Sequence, residues 1–334
     1  MRSSIFKTKK DKKQQINCFF CSAMKSTDKA ILLGLVSALF FSATYIFNKS
    51  MALSGGDFLW TASLRYLITL PFIVLIALFN KEGKILFKTF FQNPKPWIIW
   101  GTIGFGLFYL CLTAAAAISP AWLIAGTFQS TIIAGLLLSP FIYKDNRKFI
   151  SKKAFYASCI ILLGVALSQI GEIKREESSP LIWGTVLVIL AATFFPLGNR
   201  KILLYQENSA NKLSPVQRVA CMTLGSMPLW IIVSFLAYER SGLPTESQFI
   251  QSGLIALFST IIATVIFFRA TEMAGNNAEV LGAVEATQSV EIIITLIAEI
   301  MFLNASFPSA LGCFGIITII CGIYYYSKVS NKKK

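Results

Sequence analysis

The stretch AVEATQSVEIIITLIAEIMFL, Ala283 to Leu303, sets three glutamates into an apolar run long enough to cross a lipid bilayer as a helix. A hydrocarbon layer of about 30 Å requires about 20 apolar residues in helical form, and an ionisable group near its centre costs about 2.5 to 3.5 kcal/mol even on lenient insertion scales. The glutamates must therefore point into protein. Working outward, this stretch sits in a run over residues 278–303, and nine others of similar length cover 30–53, 58–79, 97–117, 121–143, 154–171, 181–203, 214–238, 249–271 and 307–327. A chain of 334 residues that is 55% hydrophobic and 14% charged, with a mean hydropathy of +0.64, cannot clothe a water-soluble fold of this size in polar surface. The expected fold is all-α and integral to the membrane, with ten transmembrane helices and no soluble domain.

The formal net charge of +15 would suit nucleic acid, but its distribution is a topology signal. Of the 31 Lys and Arg, 24 fall at the two ends and in the connections after even-numbered spans, and only Lys49, Lys174, Arg175 and Arg240 fall in the others. That asymmetry puts both termini in the cytoplasm of a multi-pass plasma-membrane protein, with no nucleic-acid partner. Trp60, Trp122, Trp183 and Trp230 then fall toward an outer aromatic belt, and Trp97, Tyr143 and Tyr324 to Tyr326 toward an inner one. Residues 1–29 read as a disordered basic tail and 328–334 as a second basic tail. The apolar patch Cys18 to Cys21 is too short for a secretory signal, and its lone CxxC lacks the second pair or the His of a metal site. Met24, just before the polar lead into the first span, is a candidate alternative start, and the sequence does not tell whether residues 1–23 are translated.

Five helices per half would make the second half traverse the membrane inverted. Asn48-Lys49 ends the first span and Asn199-Arg200 the sixth, each followed after 16 or 18 residues by an arginine, Arg65 and Arg218. Gln129-Ser130 and Gln288-Ser289 occupy matching places in the fourth and ninth spans. The expected halves are inverted repeats over 30–171 and 181–327. Gly34, Ala38 and Ser42 form a small-residue stripe, and Gly101, Gly104 and Gly106 thin out the third span for close helix packing. Pro71, Pro140, Pro196 and Pro228 interrupt four helices and free carbonyls that must face protein or water. Pro196, just ahead of Gly198-Asn199-Arg200, stands closest to a matched motif.

At 100° per residue, Glu285, Gln288, Ser289, Ile292, Thr295 and Glu299 share one face of the ninth span, with Glu291 to its side and nearest the midplane. The rise from Glu285 to Glu299 is about 21 Å, the length of a pathway wall. The competing reading is that Arg65, Arg218 or Arg269 neutralises these carboxylates in helix packing. Arg269 and Glu272, spaced i, i+3, are assigned to such a pair, whereas Arg65 lies at a depth from which it could meet Glu299, a pairing the sequence leaves undecided. Glu291 has no cation at its own level. With no His in the chain, an unpaired carboxylate removed from water is the natural proton carrier. One buried arginine against three buried glutamates makes an acidic interior that favours cations or protons. Tyr45, Trp60, Tyr109, Trp122, Phe128 and Gln129 are candidate lining groups for a lipophilic cation. No GxxxxGK[ST], HExxH, Cys/His cluster or GxSxG element occurs, so neither nucleotide, metal, cofactor nor enzymatic reaction is expected.

The runs LSGGDFLWTASLRY (Leu53 to Tyr66), AWLIAGTFQSTIIAG (Ala121 to Gly135), PLGNRK (Pro196 to Lys201) and AVEATQSVE (Ala283 to Glu291) resemble the drug/metabolite transporter superfamily. The similarity is to its ten-helix, EamA-like branch of multidrug resistance efflux transporters, over about residues 27–327. The resemblance implies the superfamily fold and secondary active export. Small four-helix relatives use a glutamate in their first helix, where this chain has none, so the role would move to the ninth.

The expectation is a proton-coupled, alternating-access exporter of small cationic or zwitterionic drugs or metabolites. Glu291 and Glu285 would alternate between proton and substrate, with Gln288, Gln129, Arg65, Trp60 and Tyr109 around the substrate. Asn48, Asn199, Arg200, Arg218, Pro196 and Glu299 would gate or brace the pathway. A facilitative carrier of one amino acid or sugar, and a non-transporting scaffold or sensor, are the rival readings; a homodimer is compatible with each.

Overall fold

The computed structural model describes residues 26–79, 83–173, 178–209, 212–274 and 278–330. Ten helices long and apolar enough to span a membrane follow one another: α1 Thr27–Leu53, α2 Phe58–Phe79, α3 Pro94–Ile118, α4 Ala121–Ile142, α5 Asn146–Ile173, α6 Pro180–Glu207, α7 Pro215–Ser241, α8 Glu246–Ala274, α9 Ala283–Leu303 and α10 Ala310–Val329. No strand occurs among the described residues. The expected disorder of the N-terminal tail, Cys18, Cys21, Met24, Lys174 and Arg175 lie outside the described residues.

Packing carries the inverted repeat. Helix α1 packs on α8 and α9 as α6 packs on α3 and α4; α2 meets α8 as α7 meets α3. Helices α2 and α7, α4 and α9, and α5 and α10 pair with their own counterparts. A twofold relation between halves of five helices produces this exchange. Departures from α geometry are paired as well. Helix α3 is π-helical over Thr102–Leu107 and α8 over Ala256–Ala263, while α4 breaks at Gln129-Ser130 and α9 tightens to a 3-10 turn over Thr287–Ser289.

Close crossings sit where the sequence supplies glycine. A Cβ on Gly104 of α3 would lie 2.9 Å from the Cα of Gly198 in α6, and one on Gly34 of α1 would lie 2.6 Å from Oγ1 of Thr287 in α9. The small-residue positions thus hold α1 against the α9 break and α3 against α6.

An even number of spans puts the ends of α1 and α10 on one face, here the termini face. On the opposite face Trp60 Nε1 donates to the Gly242 carbonyl at 2.8 Å, Arg240 pairs with Asp57 at 3.1 Å, and Lys49 Nζ donates to the Ala116 carbonyl at 3.3 Å. On the termini face Arg147 bridges Asp145 and Glu207 and holds the Asp145 carboxyl below the usual carboxylate range.

Three expectations need correction. Trp97, Trp122 and Trp230 are buried among helices rather than seated in interfacial belts; Trp230 stacks on Tyr66 with centroids 4.8 Å apart, and only Trp183 of the four placed in the outer belt is exposed. Arg269 and Glu272 are both exposed and form no ion pair. A short helix, Gly83–Gln92, occupies a connection read from sequence as loop.

Candidate functional site

A cavity of about 410 Å³ lies between the halves, lined by eight of the ten helices, all but α5 and α10. The four irregular segments all face it. The π segment of α3 contributes Phe105, that of α8 contributes Ser259 and Thr260, the break in α4 contributes Gln129, and the α9 turn contributes Gln288, with Glu291 three residues on. Interrupted helices in matching places of two inverted halves mark the binding region of many carriers, because backbone released from helical bonding is tolerated at membrane depth only beside protein or a cavity.

The α9 turn follows from its residues. Thr287 Oγ1 donates to the Val284 carbonyl at 2.6 Å and Ser289 Oγ to the Ala286 carbonyl at 2.7 Å. Hydroxyls that bond carbonyls three residues back compete with the i−4 ladder and favour the tighter turn. In α4, Gln129 N and Ser130 N likewise bond carbonyls three residues back, at 3.2 and 3.0 Å. Helix α6 carries Pro196 in its interior, and beside it Asn199 Nδ2 donates to the Phe195 carbonyl at 2.8 Å, with both Phe195 and Asn199 lining the wall.

Glu291 lines this cavity at 7% exposure, and among the described residues its carboxylate has neither a hydrogen bond nor an ion pair. Arg65 lines it too, at 8% exposure. Its Nε donates to Thr260 Oγ1 at 3.2 Å, its Nη2 to Ser259 Oγ at 3.3 Å, and its guanidinium carbon lies 4.2 Å from the centroid of the Tyr109 ring. Ser259 is held in turn by Thr44 at 2.7 Å, and Tyr109 by a bond from its hydroxyl to Asn48 Oδ1 at 2.8 Å. Among the described residues Nη1 of Arg65 has no hydrogen-bond partner, no carboxylate lies within 4.0 Å of the guanidinium, and the three ion pairs are elsewhere.

The remaining candidates divide clearly. Glu299, 2% exposed, accepts the backbone N–H groups of Ala121 at 2.8 Å and Trp122 at 3.0 Å; it closes the start of α4, where Pro120 has no capping side chain, and does not line the cavity or meet Arg65. Glu285 is exposed and outside the lining. The reason is geometric: three residues at 120° instead of 100° turn the helix before the break by about 60° relative to an unbroken wheel. The expected excess of buried acid therefore disappears, since Arg65 and Glu291 are the ionisable side chains at the cavity besides its tyrosines. Trp60 and Tyr109 are not lining groups: the first ties α2 to the connection after α7, and the second supports Arg65. Trp122 is buried outside the lining as well, whereas Tyr45, Phe128, Gln129 and Gln288 do line the cavity. Arg200 ties α6 to α4 through the Gly135 carbonyl and Ser139 Oγ, the latter at 2.6 Å. Arg218 is half-buried in α7 outside the lining, one residue from Val219, which is part of it.

Sequence reasoning missed the hydroxyls Thr44, Ser259 and Thr260 and the aromatic wall of Tyr66, Phe105, Phe108 and Phe195. The run ALFSTIIATVIFF, Ala256 to Phe268, held the signal: a Ser-Thr pair in an otherwise apolar mid-membrane segment needs a polar neighbour.

Comparison with known proteins places this geometry. Residues 28–332 match the EmrE family, described as "putative multidrug resistance efflux transporter". The chain is 42% identical over 315 residues to "Uncharacterized protein YjlA" of Bacillus subtilis (strain 168), covering 92% of this chain and 96% of that one. It is 38% identical over 269 residues to an "Uncharacterized 42.1 kDa protein in intracellular alkaline protease 3'region" of Shouchella clausii, covering 79% of this chain and 70% of the relative. A solved structure described as "Crystal structure of protein" superposes with a TM-score of 0.62 at 15% identity, over 91% of this chain and 98% of that one, a likeness of fold.

Proposed function

The chain belongs to this multidrug resistance efflux transporter family, and on that premise we propose that it is a proton-coupled secondary exporter of small cationic or zwitterionic compounds, working by alternating access. The observation that carries the reading is Glu291: a carboxylate at the wall of a membrane cavity, buried, with neither hydrogen bond nor ion pair. Such a group can hold a proton in one phase of a cycle and a substrate cation in the next, and this competition is the simplest coupling that one site supplies. Glu285 takes no part in this exchange.

The cavity's reach supports alternation. Asn199, Val219, Phe267, Phe268 and Gln288 line it from the halves of their helices nearer the termini face, while the opposite face is tied by Trp60, Lys49 and the Asp57–Arg240 pair. Rocking one half against the other would exchange which side is closed. The skewed distribution of Lys and Arg supports a cytoplasmic termini face, and the membrane is taken to be the plasma membrane.

The test is proton antiport in inside-out vesicles screened with lipophilic cations and small zwitterions. Active compounds should collapse an imposed pH gradient through the native protein and through Glu285→Gln, but not through Glu291→Gln. Full coupled flux in Glu291→Gln would remove the carboxylate from the mechanism. Flux indifferent to the pH gradient in the native protein would instead make it a facilitative carrier.

A further inference from the structure

Arg65 is hard to account for in a site that serves cations alone. Its guanidinium is buried in the cavity wall, fixed on one side by two neutral hydroxyls and beneath by the Tyr109 ring, with Nη1 left without an acceptor. Removing a guanidinium from water is costly unless an anion compensates it, and hydroxyls supply none of the missing charge. A lipophilic cation in the cavity would meet Arg65 as an unscreened like charge. A simple anion would meet Glu291 in the same way.

Both groups line one cavity, and among the described residues neither forms an ion pair with the other or with a third residue. With both ionised, the wall presents one positive and one negative group and no net charge. Around them stand Tyr45, Tyr66, Phe108 and Phe195, and the volume of about 410 Å³ lies near the small end of the roughly 300–1,000 Å³ typical of ligand pockets. From these observations we infer that the substrate is a compact zwitterion with an apolar body. Its carboxylate takes the guanidinium of Arg65, whose buried Nη1 still lacks an acceptor, its ammonium group takes Glu291, and its body lies on the aromatic wall. Arg65 is suited to this, since a guanidinium held rigidly by its other nitrogens loses little freedom when it accepts a carboxylate. The inference rests on the transporter reading above and narrows its substrate class.

The test uses leucine, methionine, phenylalanine and tryptophan, each as the free amino acid, the methyl ester (ammonium only) and the N-acetyl derivative (carboxylate only), in thermal-stabilisation titrations of the purified full chain. At least one free amino acid should stabilise the protein saturably, at a half-saturating concentration roughly 10- to 100-fold below those of its two derivatives, the worth of one hydrogen bond to a charged group. Arg65→Gln should abolish the advantage of the acid over the ester, while Arg65→Lys, which keeps the charge, reports on folding. An ester that matches its acid on the native protein, a preference that survives Arg65→Gln, or no stabilisation by any of the four amino acids would overturn the zwitterion assignment. If the Arg65 variants do not fold, the comparison on the native protein decides alone. Glu291-dependent antiport of tetraphenylphosphonium in vesicles separates the two failures. Its presence without amino-acid binding sinks the zwitterion and leaves the exporter standing, whereas no coupled flux of either class sinks the exporter.

Discussion

At the scale of single residues, the ninth span shows how one residue type serves unlike ends. Glu291 has no hydrogen bond or ion pair among the described residues and Glu299 accepts two backbone N–H groups, yet both are acids in the same apolar run and both are buried. Glu299→Ala would strand the N–H groups of Ala121 and Trp122 where no water reaches, at about 1–3 kcal/mol for each orphaned donor. The expected result is a clear drop in melting temperature in detergent, with Glu285→Gln melting like the native chain because its side chain is exposed. Equal melting of Glu299→Ala and the native protein would show that the cap is dispensable. The sequence made Glu291 legible, since depth and the lack of a neighbouring cation can be counted along a helix. It hid the role of Glu299, because the partner is backbone more than half the chain length away and backbone donors leave no mark in composition. Arg65 was legible as an intramembrane charge but not as a partner of Ser259 and Thr260, for the same reason of distance.

At the scale of elements, the ten spans could be read from apolar length alone, as bilayer thickness fixes it. Their interruptions could not. The π segments of α3 and α8 contain no proline, and the turn at Thr287–Ser289 looks helical to any wheel drawn at constant pitch. The matched Gln-Ser pairs, found as evidence of repetition, turned out to mark the breaks themselves. Close crossings are the other element-scale feature, and they separate two glycines of α3 and α8 cleanly. Gly104→Ala puts a Cβ 2.9 Å from the backbone of Gly198, where no flexible side chain can yield, whereas a Cβ on Gly253 meets nothing within 4 Å. Gly104→Ala is therefore expected to cost about 1–3 kcal/mol by overpacking, and Gly253→Ala to be neutral or to gain up to about 1 kcal/mol in helix propensity. Thermal melting of the two variants side by side checks the contrast, and a tolerated Gly104→Ala would mean that α3 and α6 are not locked at this crossing.

At the scale of the whole molecule, two halves of five helices line one cavity, with residues from eight of the ten helices. The repeat was legible because its polar motifs recur in matching helices; which face the cavity reaches was not, because that depends on how the halves are tilted, which no residue spacing records. Helices α5 and α10 pack on each other outside the lining, which the eight others supply. For such a molecule to couple two fluxes, the same carboxylate must give up its proton when substrate arrives. The most direct measurement is proton release on binding, followed with a pH-sensitive dye in weakly buffered detergent solution as a compound identified by the vesicle screen is added to protonated protein. The account predicts about one proton released per chain by the native protein and by Glu285→Gln, and none by Glu291→Gln although that variant remains folded. Undiminished release from Glu291→Gln, or saturable binding to the native protein with no proton released at any pH, would contradict it.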